Sequence, residues 1–364
     1  MRADPDKIDM FRPQHEVDAC IKAVSDVLRS RFIGQGPVVD QFEREFGARF
    51  RVQYPVSLNS GTAALATAYE LIGIGPGDKV ISTPLTCTAT NEELLRLGAK
   101  IIWADILEDT LCIDPEDVKR KLKENDGVKA VVQVHLGGIR AMCGNLPVPV
   151  VSDAAQALGI FDGDYTCCSF QAIKHITTGD GGMLVVGDAE SYRRAKLKRW
   201  FGIDREKKIA NDWHAYKERA MTFQIQELGT KRQMNDIAAA MGMVGMKQYP
   251  DMMRYRAKLF SLYKNLLRGV PGVKIVDGPE NTWWLCTILV ENRDGLMQKF
   301  FRSNPVIDCN LVQLRNDLYD VFGGKRADLP IMNAVEEKYL SIPIGLHVTE
   351  DDVGYICGTI KGGW

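Results

Sequence analysis

The chain has 364 residues, 45% of them hydrophobic, with 46 Lys and Arg against 47 Asp and Glu. It is long enough to bury one large core or two unequal ones, and its near-zero net charge excludes a global field that would draw it onto nucleic acid or an anionic membrane. Nine cysteines, an odd number with no CxxC pair, fit neither a disulfide framework nor a zinc site; no metal is expected, and thiols beside apolar residues (Cys286, Cys309, Cys357) suit a reducing cytoplasm.

The opening MRADPDKIDMFRPQ lacks an apolar signal core, and no later stretch approaches the roughly eighteen apolar residues of a membrane span. Val17, Ile21, Val24 and Leu28 recur at helical spacing, as do Val38, Phe42 and Phe46 after the GQGP break. The chain then alternates: a helix over about 62–72, a strand at 79–82, a helix near 91–97 and a strand at 100–104. Short β-branched runs follow at 128–134, 148–152, 166–170 and 183–186. This is α/β rhythm, and a mixed, mostly parallel sheet of seven strands accounts for it.

Beyond Gly187 the pattern turns helical. A basic stretch at 193–199 reads as a surface helix with solvated charges, a polar loop follows at 204–213, and a helix starts near Asn235. A long helix from about 250 to 267 ends before Gly269. Strands at 273–276 and 284–290 and a closing helix at 350–361 make a smaller α+β lobe. No repeat or flexible linker appears, so the division into a large domain over 1–245 and a small one over 246–364 should fall on a helix.

Three segments carry chemistry. In NSGTAALATAYEL a strand-like run meets small residues and then a helix, so the free amides and positive end at Ser60, Gly61 and Thr62 make an anion site, although Asn59 or Ser60 serves equally as an ordinary N-cap. Neither GxGxxG nor GxxxxGK[ST] occurs. In VPVVSDAAQ, Asp153 ends an apolar strand and faces the crevice there, where a carboxylate could hold a pyridine nitrogen protonated; it could also simply cap an Ala-rich helix. In SFQAIKHITTGDGGMLVV, Lys174 sits in a tight apolar loop with few acids nearby, which favours the neutral, nucleophilic amine, and His175 beside it is a candidate acid or base.

Taken together and in this order, FIGQGPVVDQFEREF, NSGTAAL, DAAQALG, SFQAIKHITTGDGG, KRQMNDIAAAMG and SIPIGLHVTEDD resemble the fold-type I aminotransferases of the DegT/DnrJ type, which act mainly on nucleotide-linked keto sugars. The resemblance spans nearly the whole chain. It implies pyridoxal 5'-phosphate bound to Lys174 as a Schiff base, with pyridoxamine 5'-phosphate as the intermediate form and L-glutamate as amino donor. It implies that Asp153 pairs with the pyridinium, that Gln156 lies near the phenolic oxygen, and that Ser169, Gly61 and Thr62 hold the phosphate. Lys231 would reach that phosphate from the neighbouring subunit, making the active sites shared within a homodimer. Where the family stacks an aromatic ring on the cofactor, PLTCTATNEE places Cys87, a soft group that can pack there instead, with Thr88, Asn91 or a ring from elsewhere as the alternatives. His135 in VQVHLGG falls near the active-site strand ends, and Arg315 and Asn316 are polar candidates for sugar or phosphate contact.

The tail resembles the 4-aminotransferase branch, which implies a dTDP- or GDP-4-keto-6-deoxyhexose aminated at C4 to a sugar such as viosamine or perosamine. The alternatives are a 3-aminotransferase, a sugar dehydratase, and a non-catalytic cofactor-binding sensor. Dehydratase relatives carry histidine at the Schiff-base position. Lys174 follows Ser169 by the interval of the transaminases.

Overall fold

The computed structural model describes residues 6–13, 15–204, 225, 227–326 and 328–364; beyond Asp204, the expected polar loop at 204–213 lies outside the described residues. Strand β1 (Lys7–Ile8) precedes helices α1 (Val17–Ser30) and α2 (Pro37–Phe50). Pro37 opens α2 at little cost, because the N–H it lacks is one that the first turn leaves unbonded. Then come β2 (Tyr54–Leu58), α3 (Gly61–Ile72), β3 (Lys79–Ser82), α4 (Thr88–Arg96), β4 (Lys100–Trp103) and α5 (Pro115–Glu124). Strands β5 (Val128–Val134), β6 (Val150–Asp153), β7 (Tyr165–Ser169) and β8 (Gly182–Val186) follow, then α6 (Ala189–Lys198).

These strands form the expected seven-stranded sheet in the order β2-β8-β7-β6-β5-β3-β4. The strands other than β8 run parallel, and β8 is antiparallel to both of its neighbours. Val131, Val132 and Val151 are fully buried, as a strand covered by helices on both faces requires. Helix α5 was not among the expected elements, since PEDVKRKLKE offers little apolar periodicity. Its start is set by Asp114, whose side chain accepts from Glu116 N at 2.9 Å, and its anchor is the buried Val118.

Helix α7 (Asp236–Leu267) is one helix of 32 residues, where the sequence suggested a helix near 235 and another from 250. Pro250 removes one helical hydrogen bond, a loss of about 3 kcal/mol or more. Buried side chains on either side of it, among them Met246, Met252, Leu259, Phe260 and Tyr263, outweigh that at roughly 1.5–3 kcal/mol each for full burial of such a side chain. The basic run at 193–199 also differs from expectation. Arg193 pairs with Glu190 at the surface, but Lys198 and Arg199 are buried, and Arg199 is bound by Glu43 and by the Ser57 carbonyl at 3.1 Å.

The C-terminal part contains β9 (Val273–Ile275), β10 (Cys286–Val290), α8 (Arg293–Phe301), β11 (Val306–Ile307), α9 (Pro330–Val335), β12 (Tyr339–Ile342) and α10 (Glu350–Lys361). Strands β12, β10 and β9 make an antiparallel sheet, and Thr349 and Asp352 close a capping box on α10. Packing crosses residue 246 in both directions. Strand β1 pairs with β11, and Ile8 joins the C-terminal core with Leu259, Tyr263 and Ile288. Phe322, Leu329 and Met332 pack into the core of the large sheet with Trp103 and Val131. With α7 running through residue 246 as well, the lobes share side chains rather than a tether. No described helix is long and apolar enough to cross a membrane.

Candidate active site

Three strand ends lie level at one edge of the sheet, because Leu58, Gly182 and Ser169 are partners across β2, β8 and β7. The next strand places Asp153 opposite Cys167, so the carboxyl ends of β6 and β7 and the start of α3 converge there. Ser60 caps α3: its Oγ accepts from Ala63 N at 3.0 Å and its carbonyl from Ala64 N at 3.2 Å. The amides of Gly61 and Thr62 precede these bonds and point out of the helix. A Cβ on Gly61 would stand 2.9 Å from the Ser169 Cβ, so glycine is what lets α3 approach the end of β7. The result joins two amides, the positive end of α3 and the Ser169 hydroxyl, a donor set suited to a phosphate. The capping bonds leave these donors free.

Asp153 is buried, and both of its oxygens are bonded. Oδ1 accepts from Ala155 N at 3.0 Å, and Oδ2 accepts from the Thr90 hydroxyl at 2.6 Å, which in turn contacts the Thr86 hydroxyl at 2.8 Å. No helix follows Asp153: residues 154–159 form turns, so the helix-cap alternative does not apply. Gln156 is tied through Oε1 to Gly137 N at 2.7 Å, which leaves its amide nitrogen as the donor to any ligand.

Lys174 lies in the loop from β7 to β8, closed by Phe170 N to the Gly181 carbonyl (2.8 Å) and Thr178 N to the Phe170 carbonyl (2.9 Å). Among the described residues it forms no ion pair. Its Nζ stands 4.0 Å from the centroid of the Trp284 ring. Burial pushes its pKa down from 10.5 to about 8, against partial opposition from the charges of Asp153 and Cys87. The fraction of neutral amine near pH 7 is therefore larger than for an ordinary lysine by on the order of a hundredfold. Cys87, exposed just before α4, is close enough to act on that charge.

The structure brings Lys174, Asp153, Cys87, Gln156, Ser169 and the turn at 60–62 to one edge. His135 is fully buried behind it: its Nδ1 accepts from Ala141 N at 3.0 Å, so its Nε2 carries the proton and donates to Asp162 at 2.9 Å. His175 turns away from the lysine, with Nε2 2.8 Å from the Thr282 carbonyl. Burial and the nearby Arg256 push its pKa down to about 3, so it is a neutral donor to that carbonyl. Arg315 is also fully buried and forms two hydrogen bonds to Asp317 at 2.7 and 2.6 Å, with Glu336 at 3.2 Å. Asn316 donates to the Thr86 carbonyl at 2.7 Å and accepts from Asn91 at 2.7 Å, so it braces the residues behind Asp153. Lys231 is exposed, and its strip of backbone borders the glycine turn of the same chain, where Asn59 N donates to the Arg232 carbonyl at 2.7 Å.

Sequence reasoning missed Thr86, Thr90 and Trp284. Thr90 lies in the first turn of α4 and Thr86 in the bend before it, so no helical spacing links them and the fold alone joins their hydroxyls. Trp284 reaches the lysine only through the tertiary fold.

The DegT/DnrJ/EryC1/StrS aminotransferase family model matches residues 14–361. The spore coat polysaccharide biosynthesis protein SpsC of Bacillus subtilis (strain 168) is 31% identical over 370 residues, covering 94% of this chain and 93% of that protein. A dTDP-4-dehydro-2,3,6-trideoxy-D-glucose 4-aminotransferase from Saccharopolyspora spinosa is 30% identical, covering 91% and 90%. The crystal structure of the sugar aminotransferase CalS13 from Micromonospora echinospora matches with a TM-score of 0.88 at 29% identity, over 98% of this chain and all of that one. The chain belongs to the DegT/DnrJ/EryC1/StrS aminotransferase family and is an aminotransferase that works with pyridoxal 5'-phosphate.

Proposed function

We propose that the protein moves an amino group from L-glutamate to C4 of a dTDP- or GDP-linked 4-keto-6-deoxyhexose, in a homodimer with shared active sites. The observation that carries the reading is one sheet edge that gathers a poorly compensated lysine, a buried acid and a helix start with free amides. The 4-aminotransferase named above, acting on a dTDP-linked 4-dehydro sugar, supports the choice of acceptor. Eight buried thiols and no disulfide among the nine cysteines suit a reducing compartment.

Pyridoxal phosphate, when bound, supplies an electron-withdrawing ring that stabilises negative charge on the amino carbon. Asp153 would hold the ring nitrogen protonated, and the Thr90 and Ala155 donors fix the orientation of its side chain. Gly61, Thr62, Ser60 and Ser169 would hold the phosphate, with Lys231 of a second subunit beside it. Gln156 would donate to the phenolic oxygen, and Cys87 would lie against the ring. Lys174 Nζ takes a proton from the donor's amino carbon as the neutral amine and returns one to the sugar carbon as the ammonium. A pKa of about 8 keeps both forms populated near neutral pH. The half-exposed Phe32 and Ile33 stand at the turn where the Gly34 carbonyl accepts from Asp236 N, near the Lys231 strip, and suit burial against a second copy.

Incubation with glutamate and a panel of dTDP- and GDP-linked 4-keto and 3-keto sugars, read by mass spectrometry, tests this. The expected product is a 4-amino sugar with 2-oxoglutarate formed in equal amount. Transfer to 3-keto sugars alone would overturn the position, and no transfer to any of them would overturn the reading.

A further inference from the structure

Trp284 is only 1% exposed, yet its indole lies beneath the one side chain in the site that must move. Phe11 stacks on it at 5.5 Å between ring centroids, and Met10, Leu285, Ile173 and Val312 pack around it. Its backbone is fixed on both sides: Thr282 N donates to the Gly138 carbonyl at 2.8 Å and Leu285 N to the Gly137 carbonyl at 2.9 Å. The buried Arg256 donates to the Trp283 and Trp284 carbonyls at 3.0 and 3.3 Å. Between these restraints Trp283 is held at φ 51°, a left-handed conformation that a bulky residue adopts only when its surroundings force it. The indole therefore has a fixed place.

Two contacts join it to the lysine loop. Its Nε1–H donates to the Ile173 carbonyl at 3.0 Å, and its face lies 4.0 Å from Lys174 Nζ. The charges acting on the amine are those of Asp153 at the end of β6 and Cys87 before α4; the neighbouring His175 is neutral and turned to the Thr282 carbonyl, with Arg256 beyond it. The aromatic face is thus a close stabiliser of positive charge at Nζ.

We propose that Trp284 is a positioning residue for the transamination lysine: its indole holds the released Lys174 amine in one place and steadies its ammonium form while the amine is not bonded to the cofactor. The inference rests on Lys174 being the cofactor's lysine. Held there, the amine keeps one position for both half-reactions, and the ring favours its charged form while burial favours the neutral one.

Full-length protein freed of cofactor, with Trp284→Phe and Trp284→Leu, is labelled with an amine-specific acylating reagent over a pH series, and Lys174 is followed by peptide mapping. Loss of the indole should lower the labelling midpoint of Trp284→Leu by about 0.5–1 pH unit, making labelling below the midpoint roughly 3–10-fold faster, with a smaller shift of the same sign for Trp284→Phe. A merely structural role moves the midpoint the other way, since looser packing admits water and raises it. Should Trp284→Leu fail to fold, Trp284→Phe carries the same sign test. An unmoved or raised midpoint in folded Trp284→Phe overturns the proposal. Borohydride reduction of the reconstituted proteins separates the two premises: cofactor on Lys174 with an unmoved midpoint overturns the role of Trp284 alone, whereas cofactor on another lysine overturns it together with the proposed function.

Discussion

Two buried cations define opposite uses of charge in this molecule. Arg315 is fully enclosed, and burial works against its charge, but Asp317 and Glu336 more than offset this and raise its pKa. Lys174 is half-buried, its amine stands 4.0 Å from an indole face with no ion-pair partner among the described residues, and burial lowers its pKa. The first cation is satisfied and holds the fold together. The second is left poorly compensated, which is the condition under which an amine becomes a nucleophile and a proton carrier.

The sharpest way to break this comparison is to remove each cation. Lys174→Ala should lower turnover by more than about a thousandfold, while its melting temperature stays at or above that of the parent, because an uncompensated buried amine is lost. A large drop in stability would mean that the lysine is structural. Arg315→Met leaves the carboxylate of Asp317 buried and unpaired, so denaturant unfolding should show a loss of about 3–5 kcal/mol. Turnover per folded molecule should stay within a few-fold, and a collapse in folded Arg315→Met would return Arg315 to the substrate site.

A smaller effect sharpens the contrast at the acid. Thr90→Val removes one of the two hydrogen bonds that orient Asp153, and should weaken retention of pyridoxal phosphate by about tenfold, measured by fluorescence titration. Unchanged retention would show that Asp153 needs no such support. The mildest test uses pH alone. Because burial lowers the Lys174 pKa, the neutral amine is available from lower pH, so the rate of cofactor capture should climb up to about pH 8 and then level. A rate still climbing toward 10.5 would place an ordinary, solvated lysine at the site.

Much of this was legible in the sequence because it is local. The helices with 3.6-residue stripes, the short β-branched strands and the segments around Gly61, Asp153 and Lys174 each declare themselves within a few turns of chain. The rest depends on contacts between distant residues. Arg315 read as a possible substrate contact because its alternative, a forked bond to Asp317 inside a core that also holds Asn333 and Glu336, exists only after folding. His135 and His175 read as candidates beside the site because sequence does not show that Asp162, Ala141 and Thr282 occupy their ring nitrogens. Pro250 read as a helix start because proline disfavours a helix interior, and only the burial on both sides of it explains an unbroken helix. Trp284 carried no local signal at all.

The central claim concerns one nitrogen, and it can be fixed chemically. The holoenzyme, reduced with borohydride and digested, should yield a single pyridoxyl-modified peptide with the label on Lys174. A label on any other lysine, or protein that binds the cofactor without a reducible bond, would contradict the account.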